Sequence, residues 1–254
     1  MANRIVFINE KGGVGKTSAC FNASWELAKR GKKVLMVDMD GQRANLSFFC
    51  GIDKTQDIHT LDSVFKGENT MNDVIVNVRE NLYIIPADNT MVNIGMEAKV
   101  STFRKALNGI SDDYDYIMID VNPSPGWSHY LSLSVADYAV VVMLPDIASL
   151  EGNDGVFDSI DEIRETTNDK LKVLGILFNK CSSRTVLARQ VIEVARAMAE
   201  NADSSLFDSK IRNAIVLSEN ISQNVGITDY APKSDAAGDI RNFADEIERR
   251  LNNG

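Results

Sequence analysis

Two lysines, three glycines and a hydroxyl fall within one short run, Lys11-Gly12-Gly13-Val14-Gly15-Lys16-Thr17. Those residue types in that order suit the handling of a phosphate chain. Glycines let consecutive backbone N–H groups converge on one point, and a helix starting directly behind them adds the positive end of its dipole. Lys16 can then reach β- and γ-phosphates, and the Thr17 hydroxyl can ligate Mg²⁺. Arg4-Ile5-Val6-Phe7-Ile8-Asn9 before the run reads as a short buried strand, and Ser18 to Arg30 after it reads as a helix. A strand, a glycine loop and a helix are the context such an anion cradle requires.

The run departs from the common spacing G-x-x-x-x-G-K-[ST], because Glu10 stands where the first glycine would be and Lys11 adds a second cation. Two ammonium groups aimed at one phosphate repel each other, so Lys11 is better placed pointing outward, onto the nucleotide of a facing subunit. With this signature lysine the loop resembles that of the deviant Walker-A ATPases, the ParA/MinD family, and within it the short ParA/Soj-type proteins. The resemblance implies a P-loop NTPase fold of the SIMIBI type, ATP and Mg²⁺ as cofactors, and an ATP-bound homodimer. It implies nucleotide contacts from Lys11, Gly12, Gly13, Val14, Gly15, Lys16, Thr17 and Ser18, with Lys11 and Lys16 as catalytic groups.

Two carboxylates follow the next apolar run, Val34-Leu35-Met36-Val37-Asp38-Met39-Asp40. At the end of a parallel strand they lie where a metal ion and an attacking water are found. The stretch resembles the family's D-x-D-P-Q, which makes Asp38 the metal-side acid and Asp40 the catalytic group that orients water. Gly41 replaces the proline, and Asn45, five residues after Asp40 as in MinD-like spacing, is the expected γ-phosphate or water contact. Tyr116-Ile117-Met118-Ile119-Asp120 is an apolar strand ending in an acid, a Walker-B arrangement in which Asp120 joins Thr17 and Asp38 at the metal. Where the family has P-P-S, this chain has Asn122-Pro123-Ser124.

Further landmarks carry the resemblance nearly end to end. They are Ala136-Asp137, Leu150-Glu151-Gly152, Asn179-Lys180, Ile211-Arg212-Asn213 and Asp229-Tyr230-Ala231-Pro232-Lys233-Ser234. They imply Asn179 reading a purine edge, with Ile211 and Asn213 beside the adenine. Arg184 and Arg212 match positions used by ParA proteins for sequence-independent DNA binding, which implies non-specific DNA and a ParB-like centromere-binding protein as partners. A MinD-like or protein-cargo-positioning ATPase is the alternative. Membrane anchoring of the MinD kind is not expected, because the polar face of the C-terminal segment mixes acids with bases. A metabolic enzyme on the same scaffold would need a polar constellation beyond the phosphate site, and none is visible.

The elements that must position these groups alternate. Strands are expected at Ile5–Asn9, Val34–Asp38, Leu82–Pro86, Tyr116–Asp120, Tyr138–Leu144 and Val173–Asn179. Helices are expected at Thr17–Lys29, Ser101–Asn108, Gly155–Thr166, Val186–Asn201 and about Asp235 to Leu251. Val140-Val141-Val142-Met143-Leu144 is too continuously apolar for a one-sided strand. The expected fold is α/β: a doubly wound, mostly parallel sheet with helices on both faces, in a single domain over residues 1–254.

Composition agrees with a globular chain, at 44% hydrophobic and 25% charged residues. Cys20, Cys50 and Cys181 are too far apart for a disulfide framework, a zinc site or an iron–sulfur cluster, and His59 and His129 are isolated. No signal peptide, membrane span or extra N-terminal DNA-binding domain is expected, so the location is expected to be cytoplasmic and nucleoid-associated. The formal charge of −9 is unevenly spread. Between 130 and 170, Asp137, Asp146, Glu151, Asp154, Asp158, Asp161, Glu162, Glu165 and Asp169 face only Arg164 and Lys170. That acidic stretch is a candidate surface for a partner's basic arm.

Overall fold

A run of consecutive apolar residues in a strand sends alternate side chains to opposite faces, so each face needs its own cover. Among the described residues, eight strands form one sheet: β1 (Asn3–Ile8), β2 (Val34–Asp38), β3 (Val76–Arg79), β4 (Leu82–Ile85), β5 (Tyr116–Asp120), β6 (Tyr138–Met143), β7 (Lys172–Cys181) and β8 (Leu206–Arg212). Their spatial order is β3-β4-β2-β5-β1-β6-β7-β8, parallel throughout except that β3 runs antiparallel to β4. The structure, a computed structural model, describes residues 1–42, 45–52, 58–88, 99–147, 149, 154–182 and 186–253, with backbone only at 154, 186–189 and 253. The Leu150-Glu151-Gly152 landmark lies outside the described residues.

The helices are α1 (Lys16–Lys29), α2 (Asn45–Phe49), α3 (Leu61–Phe65), α4 (Met71–Val74), α5 (Val100–Asn108), α6 (Trp127–Val135), α7 (Asp154–Thr166), α8 (Val186–Asn201), α9 (Val216–Ser222), α10 (Ile227–Tyr230) and α11 (Asp235–Asn253). Val6, Ile8, Val37, Ile119 and Val141 pack with Phe103 of α5, Leu131 of α6 and Ile160 of α7 on one face. Ile5, Phe7, Met36, Met118 and Val142 pack with Phe21 of α1 and Ile240, Phe243 and Ile247 of α11 on the other. Phe243 meets Phe7 and Phe207 edge-on, with ring centroids 6.4 Å and 5.0 Å away. Burying one such ring stabilises by about 1.5–3 kcal/mol. The apolar stripe of α11 is thus consumed by the core. No described helix is long and apolar enough to cross a membrane.

The expected strands and helices lie where the periodicity puts them, while the short helices α2, α3, α4, α9 and α10 and three other elements, β3, β8 and α6, do not announce themselves in the sequence. β3 is a short antiparallel edge strand with little burial. β8 carries Asp208, Ser209 and Lys210, poor strand formers that are tolerated at the other edge of the sheet. α6, Trp127-Ser-His-Tyr-Leu-Ser-Leu-Ser-Val135, alternates serines with apolar residues like a strand, yet it is nearly all buried in a helix. In each case tertiary packing overrides local preference.

The β8 edge is closed by a side chain. Glu246 of α11, almost fully buried, accepts the backbone N–H groups of Asp208 (3.0 Å) and Ser209 (2.9 Å) and the Ser209 hydroxyl (2.8 Å). Burial pushes its pKa up, but these donors and Arg250 outweigh that and hold it below the usual carboxylate value. Elsewhere on that face Asp229, from the Asp229–Ser234 landmark, accepts from Trp25, Lys29 and Arg79. Its pKa is brought down to about 2, the donors prevailing over burial.

Glu246→Gln should lower stability at pH 7 by about 1–3 kcal/mol, since one oxygen acceptor becomes a donor facing N–H groups. A depressed folded pKa means the contribution is complete above the unfolded value of ~4.3 and is lost as pH falls through the folded value. Urea midpoints of variant and parent should therefore converge in acid. A constant gap from pH 7 down to about pH 3 would contradict this role.

Candidate functional site

The site forms at the carboxyl ends of β1, β2, β5 and β7, where an α/β sheet leaves a crevice. Asn9 opens it. Its side-chain nitrogen donates to the Val142 carbonyl (2.7 Å) and its oxygen accepts the Lys11 N–H (2.6 Å), so the loop starts from a fixed point between β1 and β6. Gly13 and Gly15 take left-handed backbone conformations, with φ of 77° and 91°, which glycine adopts without strain. Val14 turns its side chain into the core. Lys16 begins α1 and is buried. Burial lowers its pKa, while Asp120 and Asp40 act in the opposite direction.

The carboxylates divide their work. Asp38 is fully buried, and both its oxygens are taken, one by the segment that follows it and one by α2. One accepts the Asp40 N–H (2.9 Å), the other the Ser47 N–H (2.9 Å) and hydroxyl (2.8 Å). Burial raises its pKa to about 6 against the pull of those donors. Asp120 is its register neighbour across β2 and β5, and is equally buried. Neither Asp120 oxygen has a hydrogen bond of good geometry. Burial, then Asp38, pushes its pKa well up, with Thr17 and Lys16 opposing. An orphaned buried carboxylate beside a helix-start hydroxyl is a hard-oxygen donor set that fits a small divalent cation such as Mg²⁺. Asp40, also buried, lines the cleft and accepts the Gln42 N–H (3.1 Å), with the Asn45 amide at 3.5 Å from its other oxygen.

The cleft encloses about 310 Å³. One end is polar, walled by Gly12, Gly13, Gly15, Lys16, Thr17 and Ser18. The other is apolar, walled by Phe49, Ala214, Leu217 and Ile221. The i, i+4 spacing of Leu217 and Ile221 on α9 was the available sequence signal for that wall. Asn213 lines the cleft, but Ile211 does not: it is 2% exposed and packed in the core. The expected adenine contact of Ile211 is therefore corrected, because alternation along β8 turns its side chain to the sheet's packed face. Asn179 lines the cleft too, but its amide nitrogen donates to the carbonyls of Val14 (2.9 Å) and Gly15 (3.4 Å).

Known proteins are similar to this chain in sequence and fold. The AAA domain family AAA_31 matches residues 2–173. The chain is similar to the chromosome-partitioning ATPase Soj of Thermus thermophilus, 31% identical over 98% of this chain and 96% of the relative. It is also similar to the virulence plasmid ParA family protein pGP5-D of Chlamydia psittaci, 31% identical over 97% of this chain and 95% of the relative. The chain belongs to the ParA/MinD family of ATPases. Its fold is similar to that of the septum site-determining protein MinD of Pyrococcus horikoshii, solved with Mg-ADP. The TM-score is 0.78 at 26% identity, over 97% of this chain and 96% of that one.

The features by which this family member departs from the usual pattern have local partners. Glu10, in the glycine position, leans on the first turn of α7: a Cβ added at Gly155 would lie 2.5 Å from a Glu10 oxygen. Burial, then Asp158, raises its pKa. Lys11 carries its ammonium to Asp146, 3.4 Å away, and keeps a third of its side chain exposed. Asn122 is stapled to α6, its carbonyl meeting His129 Nε2 (2.7 Å) and its side-chain oxygen the Ser128 hydroxyl (3.1 Å). Arg212 is paired with Asp239 and Asp235, both at 2.6 Å. Arg184 lies outside the described residues.

At Gly15 the left-handed backbone and a would-be Cβ only 2.1 Å from Asn179 Nδ2 combine. Gly15→Ala should cost at least about 1–3 kcal/mol in urea unfolding, through strain and the displaced amide. Stability equal to the parent's would show that the two segments do not approach this closely.

Proposed function

We propose that this ParA-family protein is an ATP-driven switch. It binds ATP with Mg²⁺ in the cleft, closes into a homodimer, binds DNA without sequence preference, and hydrolyses ATP when a ParB-like centromere-binding protein docks. The observation that carries the reading is Lys11, a second cation beside the phosphate loop whose ammonium is not spent on that loop. It is paired instead with Asp146, and a half-exposed pair of this kind contributes no more than about 1 kcal/mol, so it is easily exchanged. In the closed dimer Lys11 crosses to the partner's phosphates, as an arginine finger acts in trans.

Each remaining group has a place in that reading. Lys16 meets the β- and γ-phosphates, and Thr17 with Asp120 would hold the magnesium ion; Asp38, expected beside them at the metal, instead has both oxygens engaged by Asp40 and Ser47. When bound, the ion neutralises phosphate charge and aligns the displacement. Asp38 folds the loop that presents Asp40, and Asp40 orients the water with Asn45 beside it. Mg-ADP in the Pyrococcus MinD crystal supports the same ligands here. The exposed acids Asp158, Asp161 and Glu165 on α7 offer the partner's basic arm a landing surface.

Arg184 and Arg212 are the proposed DNA contacts. Pairing of Arg212 with Asp235 and Asp239 means that a DNA phosphate competes with two carboxylates for it. That competition favours one second reading, a MinD-like switch that positions a protein cargo.

Asp40→Ala should dimerise with ATP in gel filtration while losing about a hundredfold or more in turnover. Lys11→Ala should remain monomeric under the same conditions. Dimerisation and normal turnover in Lys11→Ala would sink the trans role.

In DNA-binding titrations, replacing Arg184 and Arg212 together by Glu should weaken binding equally for all sequences. It should also flatten the plot of log affinity against log salt by about 0.9 for each DNA phosphate left without a cation. Unaltered binding by that double variant at low salt would support the protein-cargo reading.

A further inference from the structure

A cradle of backbone N–H groups has a reverse side. In a trans peptide the carbonyl points opposite to the N–H. Aiming the amides of Val14, Gly15 and Lys16 at a phosphate therefore turns the carbonyls of Gly13, Val14 and Gly15 away from it. Two consecutive side chains from the end of β7 meet those carbonyls. Lys180 Nζ donates to the Gly13 carbonyl at 2.7 Å. Asn179 Nδ2 donates to the Val14 carbonyl at 2.9 Å and reaches the Gly15 carbonyl at 3.4 Å. The Asn179 oxygen is used on the other side, accepting the Lys180 N–H at 2.8 Å. That bond settles which way the amide faces.

The approach is built into both segments. Lys180 takes a φ of 51°, uncommon for a residue with a side chain, and the missing Cβ of Gly15 leaves the space that Asn179 fills. Without these donors the three carbonyls would share what the α1 backbone provides, the Ala19 N–H to Gly15.

We propose that Asn179 and Lys180 form a latch behind the phosphate loop that aims its amides and strengthens them as donors. A donor on a carbonyl polarises the same peptide's N–H, and chained hydrogen bonds reinforce one another by roughly 10–30% per bond. The Lys180 contact is charge-assisted and so acts most strongly, on the peptide whose N–H belongs to Val14. Both are positioning residues, since they act through the loop and not on the substrate. The Asn179 oxygen keeps a second acceptor lone pair, so the latch is compatible with a purine amino group meeting that residue from the cleft. This inference rests on the reading that the cleft binds a nucleoside triphosphate.

The test compares the full-length parent with Lys180→Met, Lys180→Arg and Asn179→Ala. ADP affinity is measured by calorimetry, nucleotide-free stability by urea unfolding, and the amide proton shifts of Val14, Gly15 and Lys16 by NMR in the ADP complex. Lys180→Met should bind ADP on the order of tenfold more weakly, with Lys180→Arg recovering most of the loss. The Val14 amide proton should move upfield in Lys180→Met and return in Lys180→Arg, a signature that a purely structural staple would not produce. If Lys180→Met fails to fold, Lys180→Gln, an uncharged donor, should fall between parent and Asn179→Ala in affinity. Parent-like ADP affinity in the variants, or unmoved amide shifts with only stability reduced, would overturn the latch while leaving the nucleotide site intact. A parent that binds no ADP at all would overturn both.

Discussion

Pointing several backbone N–H groups at one spot turns their carbonyls to the opposite side, where they need donors of their own. Much of the architecture around this cleft answers that demand. Asn9 ties the loop's first residue to β6, and the end of β7 reaches over its back. Gly13 and Gly15 supply conformations that no side chain would tolerate cheaply. The strand order follows the same need: β1 lies between β5 and β6, with β7 one strand further along, so the loop leaving β1 is flanked on both sides by strand ends.

Three buried carboxylates near one lysine would be unstable if all were free anions in the same low-dielectric pocket. The fold separates them by hydrogen bonding. Asp38 is saturated by backbone and hydroxyl donors, Asp40 is braced by the loop that Asp38 folds, and Asp120 is left with open oxygens. The last arrangement is costly in the free protein, and a cation relieves it. Local destabilisation of this kind is common where a ligand is to be held. Glu10 and Lys11 extend the coupling outward, since each departs from the usual loop pattern and each reaches the region that follows β6. The acidic face of α7 is thereby connected to the phosphate loop through a single carboxylate.

The phosphate loop was legible from residues 11–17 because its chemistry is local: consecutive residues supply the amides, the lysine and the hydroxyl. β2 and β5 were legible for a similar reason, as uninterrupted apolar runs ending in acids, and they match Val34–Asp38 and Tyr116–Asp120 at both bounds. β8 and α6 were not legible. Asp208, Ser209 and Lys210 make a strand through pairing with β7 and through Glu246, many residues later, which accepts the Asp208 and Ser209 N–H groups. The serines of α6 are buried in a helix that packs against β1, α5 and α7, contacts that the local pattern does not reveal.

The same division holds inside the site. Sequence alone determined which residues are present at the carboxyl ends of the strands, and hence the family. It could not determine which carboxylate keeps its oxygens open, because Asp38 and Asp120 are both acids ending apolar strands. Their difference lies in Ser47 of α2, whose N–H and hydroxyl both donate to Asp38. Nor could it tell that Ile211 faces the core or that Asn179 faces the loop. Side-chain direction at a strand end depends on register and on what packs beyond it. Those are properties of the assembled sheet, set by contacts between residues far apart in the chain.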